Sequence, residues 1–152
     1  MSPPVLTLAN ASAERPISFR GPAEVAAFAR ELGLGTEAET VALHLSAEGE
    51  FLCASGLGDG CSFEAFLTDP FPLLAPMLDC RPAAAVLVAC RPGRGVKPGF
   101  VERAALPALR NLHSPLGVVL LDLILIDRER WHSLAGAWPV PVGRPRPVRE
   151  VP

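Results

Sequence analysis

Arg91, Arg94 and Lys97 sit close together on a stretch broken by Pro92, Gly93, Gly95, Pro98 and Gly99. Three cations ahead of a helix suit an anion, because backbone N–H groups and the helix dipole add to the side-chain charge. The stretch has neither the Walker pattern nor a true Gly-x-Gly-x-x-Gly, so a solvated Gly/Pro loop is the competing reading. Glu102 follows on that helix, and Glu39 stands just before the first strand. Two converging carboxylates are the raw material of acid–base chemistry. Cys90 ends an apolar run near the same helix start, which would lower its pKa and make it a nucleophile; a small buried hydrophobe is the plainer role. Cys53, Cys61, Cys80 and Cys90 contain no Cys-x-x-Cys pair, and with His44 or His113 they match no usual zinc spacing. Buried thiols are expected of them. His113–Ser114 and His132–Ser133 offer no acid in range, so neither makes a triad.

These residues need a frame. Gly21-Pro22 opens a helix with Val25, Phe28, Ala29 and Leu32 on one face, and Gly33 and Gly35 close it. Thr40–Ser46 alternates as a strand, turns at Ala47–Glu50 with Gly49 at positive φ, and returns over Phe51–Ser55. Gly56–Gly60 is a loop, and a helix falls within Ser62–Leu78 among Pro70, Pro72 and Pro76. Ala83–Cys90 is apolar throughout, as a central strand buried on both faces should be. Phe100–Leu112 is a helix that Pro107 should kink or split. Val118–Ile126 is a strand around Asp122, which reads as a buried, hydrogen-bonded structural acid. A turn at Asp127–Arg130 leads to a short strand over Trp131–Leu134. The order gives an α/β fold, a mixed sheet sandwiched by helices. Residues 1–20 read as an irregular arm, 21–137 as one domain, and 138–152 as a Pro/Arg-rich tail fixed by Trp138.

Several of these pieces, in this order, resemble the RadC-like JAB/MPN domain, whose fold is related to the cytidine deaminases. Gly21-Pro-Ala-Glu-Val25 is similar to the Ser-Pro-x-x-Val start of that domain's first helix. Ala83–Pro92 resembles its apolar strand ending in His-x-His-Pro. Leu120-Leu-Asp-Leu-Ile-Leu-Ile-Asp127 resembles its Leu-Leu-Asp-His strand, and Trp131-His-Ser-Leu134 its closing strand. The likeness spans roughly residues 20 to 135, nearly one domain.

The resemblance implies a metal motif of His-x-His, seven residues, Ser, two residues, Asp. Two imidazoles and a carboxylate hold zinc and leave a position for water, a glutamate takes the water's proton, and the serine supports the transition state. Carried over, the first His falls on Ala89, the second on Arg91, the Ser on Gly99 and the Asp on Glu102. The glutamate is kept as Glu39, Pro92 is retained, and the His after Leu-Leu-Asp is Leu123. Both imidazoles are gone, and a permanent cation stands beside the remaining carboxylates. Repulsion and ligand chemistry oppose zinc there. Buried carboxylates need a counter-charge, and the Arg91 guanidinium is placed to pair with Glu39, Glu102 or both.

Composition bounds the rest. The chain has 152 residues, is 49% hydrophobic and has a formal charge of −2. That is one domain with a real core and no general electrostatic attraction to nucleic acid. No apolar run is suited to spanning a bilayer and no signal peptide is apparent, so the cytoplasm is the expected compartment. The resemblance brings a bacterial DNA-repair label, but neither a basic face nor the helix-hairpin-helix segment that often precedes the domain is expected from these residues. The expected function is a catalytically inactive, metal-free and cofactor-free binding or scaffold module with a protein partner or a second copy of itself. The alternatives are an anion or nucleotide binder at Arg91, Arg94 and Lys97, and a hydrolase of altered, non-zinc chemistry using Glu39, Glu102 or Cys90.

Overall fold

A computed structural model describes residues 17–34, 36–58 and 63–138. The expectations for residues 1–16, 35, 59–62 and 139–152 lie outside these. Helix α1 spans Pro22–Glu31, with Pro22 in its first turn and the Arg20 N–H donating to Glu24 Oε1 at 2.8 Å. Val25, Phe28 and Ala29 are its buried face, and Gly33 at φ +81° ends it. Strand β1 (Glu39–Leu45) starts one residue earlier than its alternation predicts, and β2 (Phe51–Gly56) returns antiparallel to it. Gly49 turns the hairpin at φ +83°. Any side chain there would also collide with the Phe19 carbonyl, 2.8 Å from an added Cβ.

The predicted helix of Ser62–Leu78 is two helices, α2 (Ala65–Thr68) and α3 (Phe71–Cys80). Pro70 forces Asp69 out of helical geometry, to φ −133° and ψ 91°, and so cuts the run. Strand β3 (Ala84–Cys90) leads to α4 (Phe100–His113), then β4 (Val119–Ile126) and β5 (Trp131–Ser133). Of the kink or split expected at Pro107, the split does not occur: α4 runs unbroken through it. It lies on the exposed side, where water serves the carbonyl that loses its partner.

The five strands lie in the order β2-β1-β3-β4-β5. Only β3 and β4 run parallel; every other neighbouring pair is antiparallel. The α/β class and the mixed sheet between helices are therefore as expected. Alternation along the strands feeds two cores. Val41, Leu43, Val86 and Val88 pack under α1, while Ala42, Ala85, Leu87 and Leu123 pack under α2, α3 and α4. The last residues of the expected N-terminal arm belong to the first of these cores. Ser18 bridges to Glu50, and Phe19 stacks edge-on against Phe28 with ring centres 5.2 Å apart.

One irregularity interrupts the parallel pair. The β3–β4 register slips at Ala85/Val86, leaving Leu121 as an extra residue. Leu121 and Ile124 face α1, Leu120 and Leu123 face the other helices, and pairing resumes at Asp122, opposite Val86. The Arg110 guanidinium on α4 donates to the Leu120 and Leu121 carbonyls at 3.0 and 3.1 Å. Among the described residues, no helix is long and apolar enough to cross a membrane.

Candidate functional site

The parallel strand β3 ends at Cys90, and its continuation turns back to start α4. The Arg91 N–H donates to the Ile126 carbonyl at 2.8 Å, so the backbone is still tied to β4 as the side chain leaves the sheet. Gly93, at φ +76°, makes the turn, and the Arg94 N–H donates back to the Arg91 carbonyl at 3.1 Å. Gly99 caps α4, with Glu102 in the first turn. The tied strand end, the turn and the helix start thus aim residue 91 and residue 102 at one point. They meet: Arg91 Nη1 donates to Glu102 Oε1 at 2.8 Å.

The pair is mostly shielded, with 22% of the Arg91 side chain and 15% of the Glu102 side chain exposed. Glu102 also reaches back to accept the Gly99 N–H at 3.3 Å, the acidic half of a capping box. Burial pushes its pKa up, but the Arg91 hydrogen bond, the Gly99 N–H and the guanidinium charge together hold it below the usual carboxylate value. A negative charge at this helix N-terminus gains from the dipole as well. An added Cβ on Gly99 would lie 3.4 Å from Glu102 Oε2, an ordinary contact that a serine would satisfy.

A cleft of about 270 Å³ opens over the pair. Ala89 borders it from β3 and Arg91 from the turn that follows, Glu39 and Thr40 from the start of β1, and Glu64 and Glu102 from the helical side. Four of the five sequence-chosen positions, Glu39, Ala89, Arg91 and Glu102, line this one cleft, and Gly99 caps the helix beside it. The strand register adds a refinement. Thr40 stands opposite Ala89 and Glu39 opposite Cys90. Alternation therefore puts Thr40 on the α4 face with Ala89, and Glu39 reaches the cleft only from the strand's end. Thr40 is buried at the cleft. Sequence reasoning passed it over because a lone threonine on a strand carries no chemical signature.

The three cations chosen as an anion site do not act alike. Arg91 is engaged by Glu102, Arg94 borders the cleft from its exposed turn, and Lys97 is exposed and not among the lining residues. Three lining carboxylates, Glu39, Glu64 and Glu102, face these two guanidiniums. Cys90 borders the cleft but is buried, and it packs in the apolar cluster under α1.

The donors present do not suit a zinc ion. Ala89 offers a methyl group, Arg91 a guanidinium with donors only, and Glu102 a carboxylate already bound to that guanidinium. Among the described residues, no three of His, Cys, Asp or Glu are grouped to hold a metal.

Two histidines lie elsewhere, in the core beneath α4. His44 and His113 are fully buried; His113 Nδ1 meets the Leu109 carbonyl at 2.7 Å, while neither His44 ring nitrogen has a partner. Burial, and then the His113 charge, lower the His44 pKa to about 4. Burial lowers that of His113 too, against its bond to Leu109. The unfolded chain therefore binds protons at these sites that the folded chain refuses. Stability is full above the ordinary histidine value of 6.5 and falls as pH drops toward 4. Between pH 7 and pH 5, His44 alone is expected to remove about 2 kcal/mol in urea unfolding. His44→Leu should flatten that slope, and an unchanged slope would contradict the assignment.

No protein-family model matches the chain, and no curated protein matches it.

Proposed function

We propose that this chain is a metal-free, non-hydrolytic domain of the RadC-like JAB/MPN type that works by binding, with a protein partner or a second copy of itself as its ligand. The observation that carries the reading is the Arg91–Glu102 ion pair at 2.8 Å. The resemblance assigns residue 91 to a metal-binding imidazole and residue 102 to a metal-binding carboxylate. The element order, and the convergence of Glu39, Ala89, Arg91 and Glu102 on one cleft, support the same descent. In this reading the guanidinium supplies the positive charge that a zinc ion supplied, and the carboxylate keeps its role at the helix start.

Binding fits the cleft better than catalysis does. The buried Cys90 thiol is packed beneath α1, and the Arg91 cation is compensated by Glu102. Anion binding is the weaker reading, since three carboxylates share the cleft with Arg91 and Arg94.

Zinc analysis of the native full chain tests the proposal. After equilibration with zinc and buffer exchange, the expected result is no stoichiometric metal and no change in unfolding midpoint on chelation. One retained zinc per chain, lost in Glu102→Ala, would refute it.

A further inference from the structure

Cys53 lies in the edge strand β2, and Cys80 is the last residue of α3. They are 27 positions apart in sequence, yet their sulfurs stand 2.7 Å from each other. Both side chains are half-buried, so a small oxidant can reach them. Cys90 is buried under α1, on the opposite face of the sheet from α3. We propose that Cys53 and Cys80 are an oxidisable dithiol, which a peroxide closes to an intramolecular disulfide.

The sulfurs are only about 0.7 Å beyond disulfide bonding distance, so closure needs a small local shift. Burial, with the hydrogen bond and charge of Cys80, pushes the Cys53 thiol up to about 12. The thiolate of one cysteine of the pair displaces hydroxide from hydrogen peroxide and becomes a sulfenic acid. The other cysteine then attacks that sulfur, its proton leaves with the departing oxygen as water, and the S–S bond forms. In balance, two thiols lose two electrons and two protons, and one peroxide becomes two waters.

The cross-link has a structural reach. It closes a covalent loop that contains α2, most of α3, and Phe63 and Glu64 of the cleft wall. Oxidation thus ties the C-terminal end of α3 to the edge strand β2, with Phe63 and Glu64 inside the closed loop. This holds whether or not the cleft's proposed role is correct.

The test uses the full chain, fully reduced, then exposed to hydrogen peroxide and quenched by alkylation. Peptide mapping should show Cys53 joined to Cys80, with the loss of two hydrogens, reversed by dithiothreitol. The oxidised chain should melt about 10 °C above the reduced one, as expected for a closed loop of this length. Cys53→Ser and Cys80→Ser should each abolish the link, and Cys90→Ser should leave it. The native-chain mapping stands alone if a serine variant fails to fold. A link through Cys61 or Cys90 instead, a sulfinic acid on one unpaired cysteine, or equal alkylation of both thiols after peroxide would overturn the proposal.

Discussion

Replacing Asp122 with alanine is expected to destabilise the fold by about 4 kcal/mol, measured by urea unfolding. Asp122 is fully buried in β4 and accepts hydrogen bonds from the Ser133 hydroxyl, the Ala135 N–H at 2.9 Å and Trp138 Nε1 at 2.8 Å. Alanine removes the acceptor and orphans three donors in one place. Each orphan costs about 1–3 kcal/mol where water cannot follow. Asp122→Asn keeps one acceptor oxygen and should cost about half as much. Trp131 and Trp138 are the chain's two tryptophans, so Trp131→Phe leaves Trp138 fluorescence as a direct report on the site. Asp122→Ala should red-shift that emission as the indole loses its anchor. A loss below about 1 kcal/mol would mean that the segment after β5 is not held by this carboxylate.

The second large effect concerns the ion pair. Glu102→Ala should cost about 3 kcal/mol, because it strands a shielded guanidinium and strips the first turn of α4 of its acid. Arg91→Ala should cost about 2 kcal/mol, since the Gly99 N–H and the helix dipole still serve Glu102. The double variant should lose clearly less than the sum, with a coupling of about 1–2 kcal/mol. Additivity within about 0.3 kcal/mol would mean that the two charges do not stabilise each other. The pH dependence has a fixed sign. Glu102 has a lowered pKa in the fold, so its contribution is present above the ordinary carboxylate value and is lost as pH falls through the folded one. Arg91→Ala should shrink that acid loss.

Local chemistry made much of this readable in the sequence. Gly49 at the hairpin, Pro22 at a helix start and the unbroken apolar run of β3 are short-range signals, and each element stands where its signal put it. The meeting of Arg91 with Glu102 was expected through the resemblance, which puts both at one metal site, and the strand end, turn and first helical turn that carry them are consecutive in the chain. What stayed hidden depends on partners distant in sequence. The slip just ahead of Asp122 is set by how β4 pairs with β3, not by its own residues. The pairing of Cys53 with Cys80 requires α3 to fold back on β2, and the burial of His44 against α4 requires the helical layer. Thr40 enters the cleft through the β1–β3 register, which moves Glu39 to the strand's end. A one-residue difference in register exchanges the two faces, and no periodicity in β1 alone reveals which face meets α4.

If this cleft is a metal site whose ligands were exchanged for an ion pair while its frame was kept, restoring the ligands should restore the metal. The variant Ala89→His with Arg91→His and Glu102→Asp puts two imidazoles and a carboxylate at the positions that now hold a methyl group and the ion pair. The measurement is zinc stoichiometry and affinity for the variant and the native chain, by calorimetric titration with the fold checked by circular dichroism. The expected result is one zinc per folded variant, bound with micromolar affinity or better, and none held by the native chain. A folded variant that takes up no zinc, or a native chain that holds one zinc in this cleft, would contradict it.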